Sequence, residues 1–244
     1  MKVRLSLIEL MFISMKIISF CLFGQKEMYL RGAIKNAELA AQIYPGWIPR
    51  FYCGPSVPES IIEQLTSLGS QIIKTQADNW TLMLERYLPI SEPDVDVTLI
   101  RDCDSRLNLR EKECIDEWLI SDKLVCSLFD HPFHSGGVKM MGGLAGFKRG
   151  AVNNFRELLA KQSIENRYQC DQDFLSETIY PLIKDSYIVF DGLNRNEFTK
   201  TVPFPSRRPI DGSFVGEVFD ENDTPNYSHR KILALTESKI FKLQ

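Results

Sequence analysis

The stretch VDVTLIRDCDSR, residues 95–106, decides the reading of this chain: an apolar run delivers Asp102 and Asp104 one residue apart, followed at once by Ser105 and Arg106. Val95, Val97, Leu99 and Ile100 have the β-branched, near-continuous apolarity of a buried strand. A strand that ends on two carboxylates sets them at the carboxyl edge of a sheet, where open α/β folds bind ligands. Carboxylates this close repel each other, and burial raises their pKa values. A divalent cation relieves both costs, and hard oxygen ligands suit Mg²⁺ or Mn²⁺. Arg101 and Arg106 flank the acids, so the same site can also contact a phosphate through bidentate hydrogen bonds. An isolated D-x-D is equally what a solvated turn after a strand looks like, and the two readings separate only on the surroundings.

Outward from this stretch, the pattern alternates strand and helix. Residues 17–23 read as a first core strand, followed by Gly24 and a helix from about Lys26 to Tyr44 with Tyr29, Ala33, Ala37 and Ala40 at helical spacing. Pro45-Gly46 ends that helix. A second strand at 49–53, a helix from Glu59 to Leu68, a third strand at 71–75 and a helix over 79–88 precede Pro89 and Pro93. Beyond Arg106 the spacing predicts a helix over 109–120, a strand at 124–129, a glycine-rich run MMGGLAGFKRG at 140–150, a helix at 152–162 and a strand at 187–190. The tail FVGEVFDENDTP, 214–225, reads as a strand and an acidic turn, followed by a short basic-polar end. Such βαβα order argues for a mostly parallel sheet with helices on both faces.

The 244 residues, 44% hydrophobic and 25% charged, fit one globular domain with a sizeable core. A net charge of −3 without a basic stripe argues against nucleic acid as a partner. Six scattered cysteines with no C-x-x-C pair suit core thiols in a reducing compartment better than a disulfide framework. The run MKVRLSLIELMFISMKIISFCLFG is apolar enough to be mistaken for a signal anchor. Glu9 and Lys16 interrupt it, and no small-residue cleavage site follows. Residues 1–14 therefore read as a leader outside the fold, 15–244 as a single domain, with no stable membrane span and a cytoplasmic location (that of a host cell if the chain is viral) expected. The glycine-rich run has the wrong spacing and place for a dinucleotide fingerprint, and its glycines better serve close approach of backbone to a ligand.

The segments MKIISFCLFG near the start, YPGW at 44–47, IRDCDSRLNLRE at 100–111, DHPFH, MMGGLAGFK and DQDFL at 171–175 together resemble GT-A-fold glycosyltransferases, in particular small single-domain enzymes of bacteria and of large DNA viruses of algae. The resemblance runs from Met15 to about Pro225. The C-terminal His-x-x-Gly-x-x-Lys-Pro-Trp feature of retaining family-eight-type enzymes, which share the DQ-x-x-L element, is missing. What the resemblance implies is a three-layer α/β/α sandwich, with a sugar moved from a nucleotide diphosphate donor, a UDP-sugar favoured, to a hydroxyl of a glycan or other acceptor. Mn²⁺ or Mg²⁺ would sit between the D-x-D and the diphosphate. On that reading Asp104 is the direct ligand and Asp102 contacts the ribose or the metal through water. Phe23 and Gly24 seat the base and ribose, and Arg86, Arg101 and Arg106 face the phosphates.

Alternatives stay open at several of these positions. Arg86 also reads as part of a solvated helix face. Asp171 and Asp173 read either as acids that deprotonate or orient the acceptor hydroxyl, or as a helix cap. Gly142, Gly143 and Gly146 are the expected acceptor-side glycines. His229 is a candidate to complete the metal shell, and His131 and His134 form a possible metal pair, although an ordinary histidine explains each. A haloacid-dehalogenase-type phosphatase would want its acids on an early strand. A sugar-phosphate nucleotidyltransferase would want a glycine-rich signature with Arg and Lys after the first strand, which FGQKEMYLRG matches poorly. A non-catalytic glycan-binding protein of the same fold is the third alternative.

Overall fold

The computed structural model of the protein describes residues 14–134, 137–193 and 201–241. The leader expected at 1–14 thus lies almost wholly outside the described residues. The chain order is β1 (Met15–Leu22), α1 (Glu27–Ile43), β2 (Ile48–Cys53), α2 (Glu59–Ser67), β3 (Gln71–Lys74), a 3₁₀ segment (Trp80–Ser91), β4 (Val95–Arg101), α3 (Leu109–Ile120), β5 (Val125–Phe129) and β6 (Leu144–Lys148). There follow α4 (Phe155–Ala160), α5 (Cys170–Phe174), a π-helical turn (Leu175–Ile179), α6 (Tyr180–Ile183), β7 (Tyr187–Asp191), β8 (Thr201–Val202) and α7 (Tyr227–Phe241).

These strands form one eight-stranded sheet in the order β3-β2-β1-β4-β6-β5-β7-β8. All pairs are parallel except the two made by β6, which runs antiparallel between β4 and β5. The expected mixed, mostly parallel sheet between two helical layers is what forms. One face packs Ile18, Phe20, Val97 and Leu99 against α1, α2 and α3, with Trp118 and Leu65 fully buried there. The other packs Ile100, Ala145 and Phe147 against the 3₁₀ segment and α4–α6 through Tyr87, Phe155 and Phe174. Successive strand residues point to opposite faces, so Leu99 and Ile100 belong to different cores.

That alternation decides the site. Arg101 follows Ile100 and turns into the α1/α3 layer; its Nε donates to Glu111 Oε1 at 2.9 Å, and Tyr44 donates to the same oxygen at 2.8 Å. Asp102, one residue on, turns toward the 3₁₀ segment instead. A buried ion pair of this kind specifies a geometry more than it adds stability, because both charges lose their hydration.

Three local expectations differ from what forms. The helix over 79–88 is a 3₁₀ segment capped by Asn79, whose side chain accepts from Thr81 N at 2.9 Å. The strand expected in the tail is a series of turns with one bridge, Phe219 to Pro225. The basic-polar end is a helix, α7, which packs against the short turn Pro132–His134. All six cysteines are free thiols, and no described helix is long and apolar enough to cross a membrane.

Candidate functional site

The carboxyl ends of β1 and β4 lie side by side in the sheet, and the D-x-D turn leaves β4 there. α1 approaches this turn so closely that a β-carbon at Gly32 would overlap the Cys103 carbonyl. The turn is held from behind. Asn36 donates to Ser105 O at 2.8 Å and accepts from Leu107 N at 3.0 Å, while Asp104 O accepts from Phe219 N at 2.8 Å. The side chains of Asp102 and Asp104 are thereby free to face a cleft of about 180 Å³, walled by Phe23, Tyr29, Trp80 and Tyr168. Trp80 meets Phe23 edge-on with ring centroids 5.6 Å apart and Tyr168 at 5.3 Å. Gly24, at φ +73°, turns the chain after Phe23, and its N–H donates to Ser56 Oγ at 2.6 Å.

A second cleft, of about 320 Å³, adjoins the first and shares Met83, Arg86, Asp102 and Tyr168 with it. Its remaining wall includes Phe133, Gly143, Asp171, Gln172 and Asp173. Arg86 stands at the junction. It is fully buried, donates through Nη2 to Asp171 Oδ2 at 2.8 Å and ion-pairs with Asp102 through Nη1. The solvated-helix reading of Arg86 is therefore excluded. Its charge is committed to two carboxylates, so it forms the wall between the clefts and is not a free phosphate clamp. Asp171 is also buried, and its Oδ1 has no hydrogen-bond partner. An unpartnered buried carboxylate oxygen is costly and calls for a functional explanation.

The glycines divide cleanly. A β-carbon on Gly143 would overlap the Asp102 carboxylate, and one on Gly142 would crowd Gln172 and Asp171. Gln172 fixes this loop by accepting from Gly142 N and donating to Met140 O at 2.8 Å, while Tyr87 donates to Gly142 O at 2.9 Å. Gly146 instead faces Cys126 and Trp118 in the opposite core, so it is a packing residue and not part of the acceptor side. The pleat of β6 turns it away.

Other expected site residues are also placed elsewhere. Arg101 is sealed in the core by Glu111, as described above. Arg106 donates to Asp223 Oδ1 at 2.8 Å and to the carbonyls of Cys103 and Ser105, and its guanidinium lies over the Phe219 ring. It clamps the turn from outside and does not line the cleft with Asp104. His229 sits with its ring 5.6 Å from that of His131 and 5.4 Å from that of Phe133. Among the described residues no three His, Cys, Asp or Glu side chains group as metal ligands. His229 thus sits with the His131 and Phe133 rings, and the rings of His131 and His134 lie 5.9 Å apart. Both histidines accept backbone hydrogen bonds through Nδ1, from Phe133 N and Asp130 N. Asp173 is exposed on the rim and paired with Arg167, unlike Asp171.

The electrostatics favour a cation at the D-x-D. Burial, and then the Asp102 charge, push the Asp104 carboxyl up to about 6. Burial followed by the Asp104 charge also pushes the Tyr29 phenol up to about 12, so it stays a hydrogen-bond donor. Two hard oxygen ligands at a strand end fit Mg²⁺ or Mn²⁺, ions that leave further positions for water and phosphate oxygens. The cleft residues Trp80, Met83 and Tyr168 come from segments that carry no motif in the sequence, and Phe133 lies in DHPFH, where only the histidines drew a role.

No protein-family model and no curated protein matches this chain. Among solved structures it is similar to a glycosyltransferase involved in the glycosylation of the major capsid of PBCV-1, at 17% identity and a TM-score of 0.48, covering 74% of this chain and 82% of that one. It is also similar to glucosyl-3-phosphoglycerate synthase of M. tuberculosis, at 13% identity and 0.48 over 81% and 74%. A third similarity is to the mannosyltransferase PcManGT from Pyrobaculum calidifontis in complex with GDP-Man and Mn²⁺, at 14% and 0.48. In that case the overlap spans 80% of this chain and 58% of the other. At these scores the likeness is one of outline.

Proposed function

We propose that the protein is a metal-dependent glycosyltransferase that moves a sugar from a nucleoside diphosphate sugar to an acceptor hydroxyl. The observation that carries this reading is the pair of adjoining clefts sharing Arg86 and Asp102, one lined by the D-x-D and aromatic rings and the other by Asp171, Gln172 and Asp173. In the first cleft the rings of Phe23, Tyr29 and Trp80 suit a nucleobase and ribose, and Asp104, with Asp102 beside it, would hold Mn²⁺ or Mg²⁺. Bound there, such an ion supplies charge neutralisation for a departing diphosphate. A UDP-sugar is the favoured donor.

The transfer joins the acceptor oxygen to the anomeric carbon as the bond from that carbon to the diphosphate breaks. The bonding pair leaves with the nucleoside diphosphate, and the hydroxyl proton passes to a carboxylate. Asp171, which lines the second cleft and is anchored by Arg86 through Oδ2, is the carboxylate we assign to that role. Asp173, tied to Arg167 at the rim, is in the weaker position. Gly143 lets the loop before β6 approach Asp102 without a side chain in the way.

Thermal-shift screening of UDP-, GDP- and ADP-sugars with and without Mn²⁺ tests the reading. A cation-dependent stabilisation by a nucleotide sugar is the expected result. No shift from any of them would overturn it. A sugar-phosphate nucleotidyltransferase would instead respond to a nucleoside triphosphate, and a glycan-binding protein to saccharide alone.

A further inference from the structure

Resting on the glycosyltransferase reading, we propose that the second cleft selects an uncharged saccharide acceptor whose ring packs on Phe133. Three independent observations converge on this. First, the titratable side chains lining the cleft among the described residues are Arg86, Asp102, Tyr168, Asp171 and Asp173. The one cation of that set is consumed by Asp102 and Asp171, and Asp173 draws its own partner, Arg167, from outside. A phosphate or carboxylate on the acceptor would meet carboxylates, with no uncommitted cation among the described lining residues to receive it. The low dielectric around Asp171 strengthens that repulsion.

Second, Phe133 is 58% exposed although it stands on a short turn that is otherwise well packed. Its backbone N–H donates to His131 Nδ1 at 3.1 Å, and its ring is wedged against the His229 ring at 89° and the His131 ring at 61°. Phe133 is thus held rigidly while presenting apolar surface to the cleft, which a core residue does not do. The C–H face of a pyranose is apolar and carries partial positive charge on its hydrogens, complementary to the negative face of an aromatic ring.

Third, the second cleft is also lined by Ser176 and Tyr168, whose hydroxyls can exchange hydrogen bonds with those of a sugar. An aromatic platform in a cleft that also carries polar groups matches a ring that is apolar on one face and edged by hydroxyls. It does not match a small acid.

The test uses the full chain with Mn²⁺ and the nucleotide sugar that stabilises it most, reading release of nucleoside diphosphate. Methyl β-galactoside, lactose, cellobiose and maltose form the neutral set; glucose 6-phosphate, 3-phosphoglycerate and glucuronate form the anionic set. The expected result is acceleration by a neutral saccharide with kcat/KM at least tenfold above that of any anionic compound. Phe133→Ala should raise KM for that saccharide about tenfold, a larger change than in the KM for donor, and Phe133→Tyr should restore it. Acceleration by the anionic set, or by neither set, overturns the assignment while leaving the donor reading intact, and so does a Phe133→Ala variant with unaltered acceptor KM. Absence of any donor binding or hydrolysis overturns the donor reading itself, and this assignment with it.

Discussion

Arg86 Nη2 and Asp171 Oδ2 lie 2.8 Å apart with both side chains almost wholly shielded from water, and the other arm of the same guanidinium reaches Asp102. One cation thus ties the strand-end acids to the helix that begins at Cys170. Breaking a buried pair by removing one partner strands the other charge, at a cost of about 3–5 kcal/mol. Arg86→Met is expected to destabilise the protein by that order in urea denaturation. Adding Asp171→Asn should recover part of the loss, because the stranded charge is then gone. Equal destabilisation of the single and double variants would show that the pair is not the cause.

Asp171 and Asp173 separate in function as they do in environment. A general base contributes typically about 10²–10⁴-fold, so Asp171→Asn should lower turnover by that order. Asp173→Asn, removing an exposed pair with Arg167, should remain within a few-fold of wild type. Steady-state kinetics with a working acceptor decides this, and the reverse order of effects would move the chemistry to the rim.

Two neighbouring glycines should fail differently when given a methyl group. Gly143→Ala pushes on the Asp102 carboxylate and should weaken cation-dependent nucleotide binding with a small change in melting temperature. Gly146→Ala presses on Trp118 and Cys126 and should cost about 1–3 kcal/mol of stability by overpacking, with binding retained in the folded fraction. Parallel calorimetry and thermal melts on both variants read the contrast.

Burial, with the His131 charge next, lowers His134 from 6.5 to about 3, and burial lowers His131 in the same direction. A histidine held neutral in the fold but free to charge when unfolded stabilises above its unfolded value, and that stability is lost as pH falls below about 6.5 toward 3. Asp130 and Arg208 face the same pocket with opposing effects. His134→Asn keeps an acceptor for Asp130 N and removes the titration. Its melting temperature should therefore fall less steeply than wild type between pH 6.5 and 4. Parallel curves would remove His134 from the acid response.

The sheet and the D-x-D were legible because they rest on local signals: an apolar run, its alternation, and two acids at its end. The roles of the arginines were not. Arg101 and Arg106 flank the acids in sequence, yet the pleat turns Arg101 into the opposite core and Asp223 draws Arg106 outward. The alternation of β4 already contained the first of these facts, since Arg101 and Asp102 must face opposite sides. Gly146 is misread from sequence for the same reason. Asp223 lies 117 residues beyond Arg106, a pairing that only the fold reveals. Helix α7 is hidden because YSHRKILALTESKIF has a weak apolar stripe and docks largely through polar pairs, Arg230 with Glu217 and Glu237 with Arg208, beside Leu233. Trp80 and Tyr168 carry no motif, and Phe133 is overshadowed by the histidines of DHPFH; only their convergence on the clefts marks them.

The central claim, that Asp102 and Asp104 hold a divalent cation with a nucleoside diphosphate, is tested most directly by titration calorimetry of UDP into the protein with and without Mn²⁺, beside Asp104→Asn. Asn preserves the size of the side chain, and the Asp104 backbone carbonyl that accepts from Phe219 N is untouched. The expected result is UDP binding that requires Mn²⁺ in the wild type and is lost in Asp104→Asn with an unchanged circular-dichroism spectrum. UDP binding of equal, Mn²⁺-dependent affinity in both proteins would contradict the account.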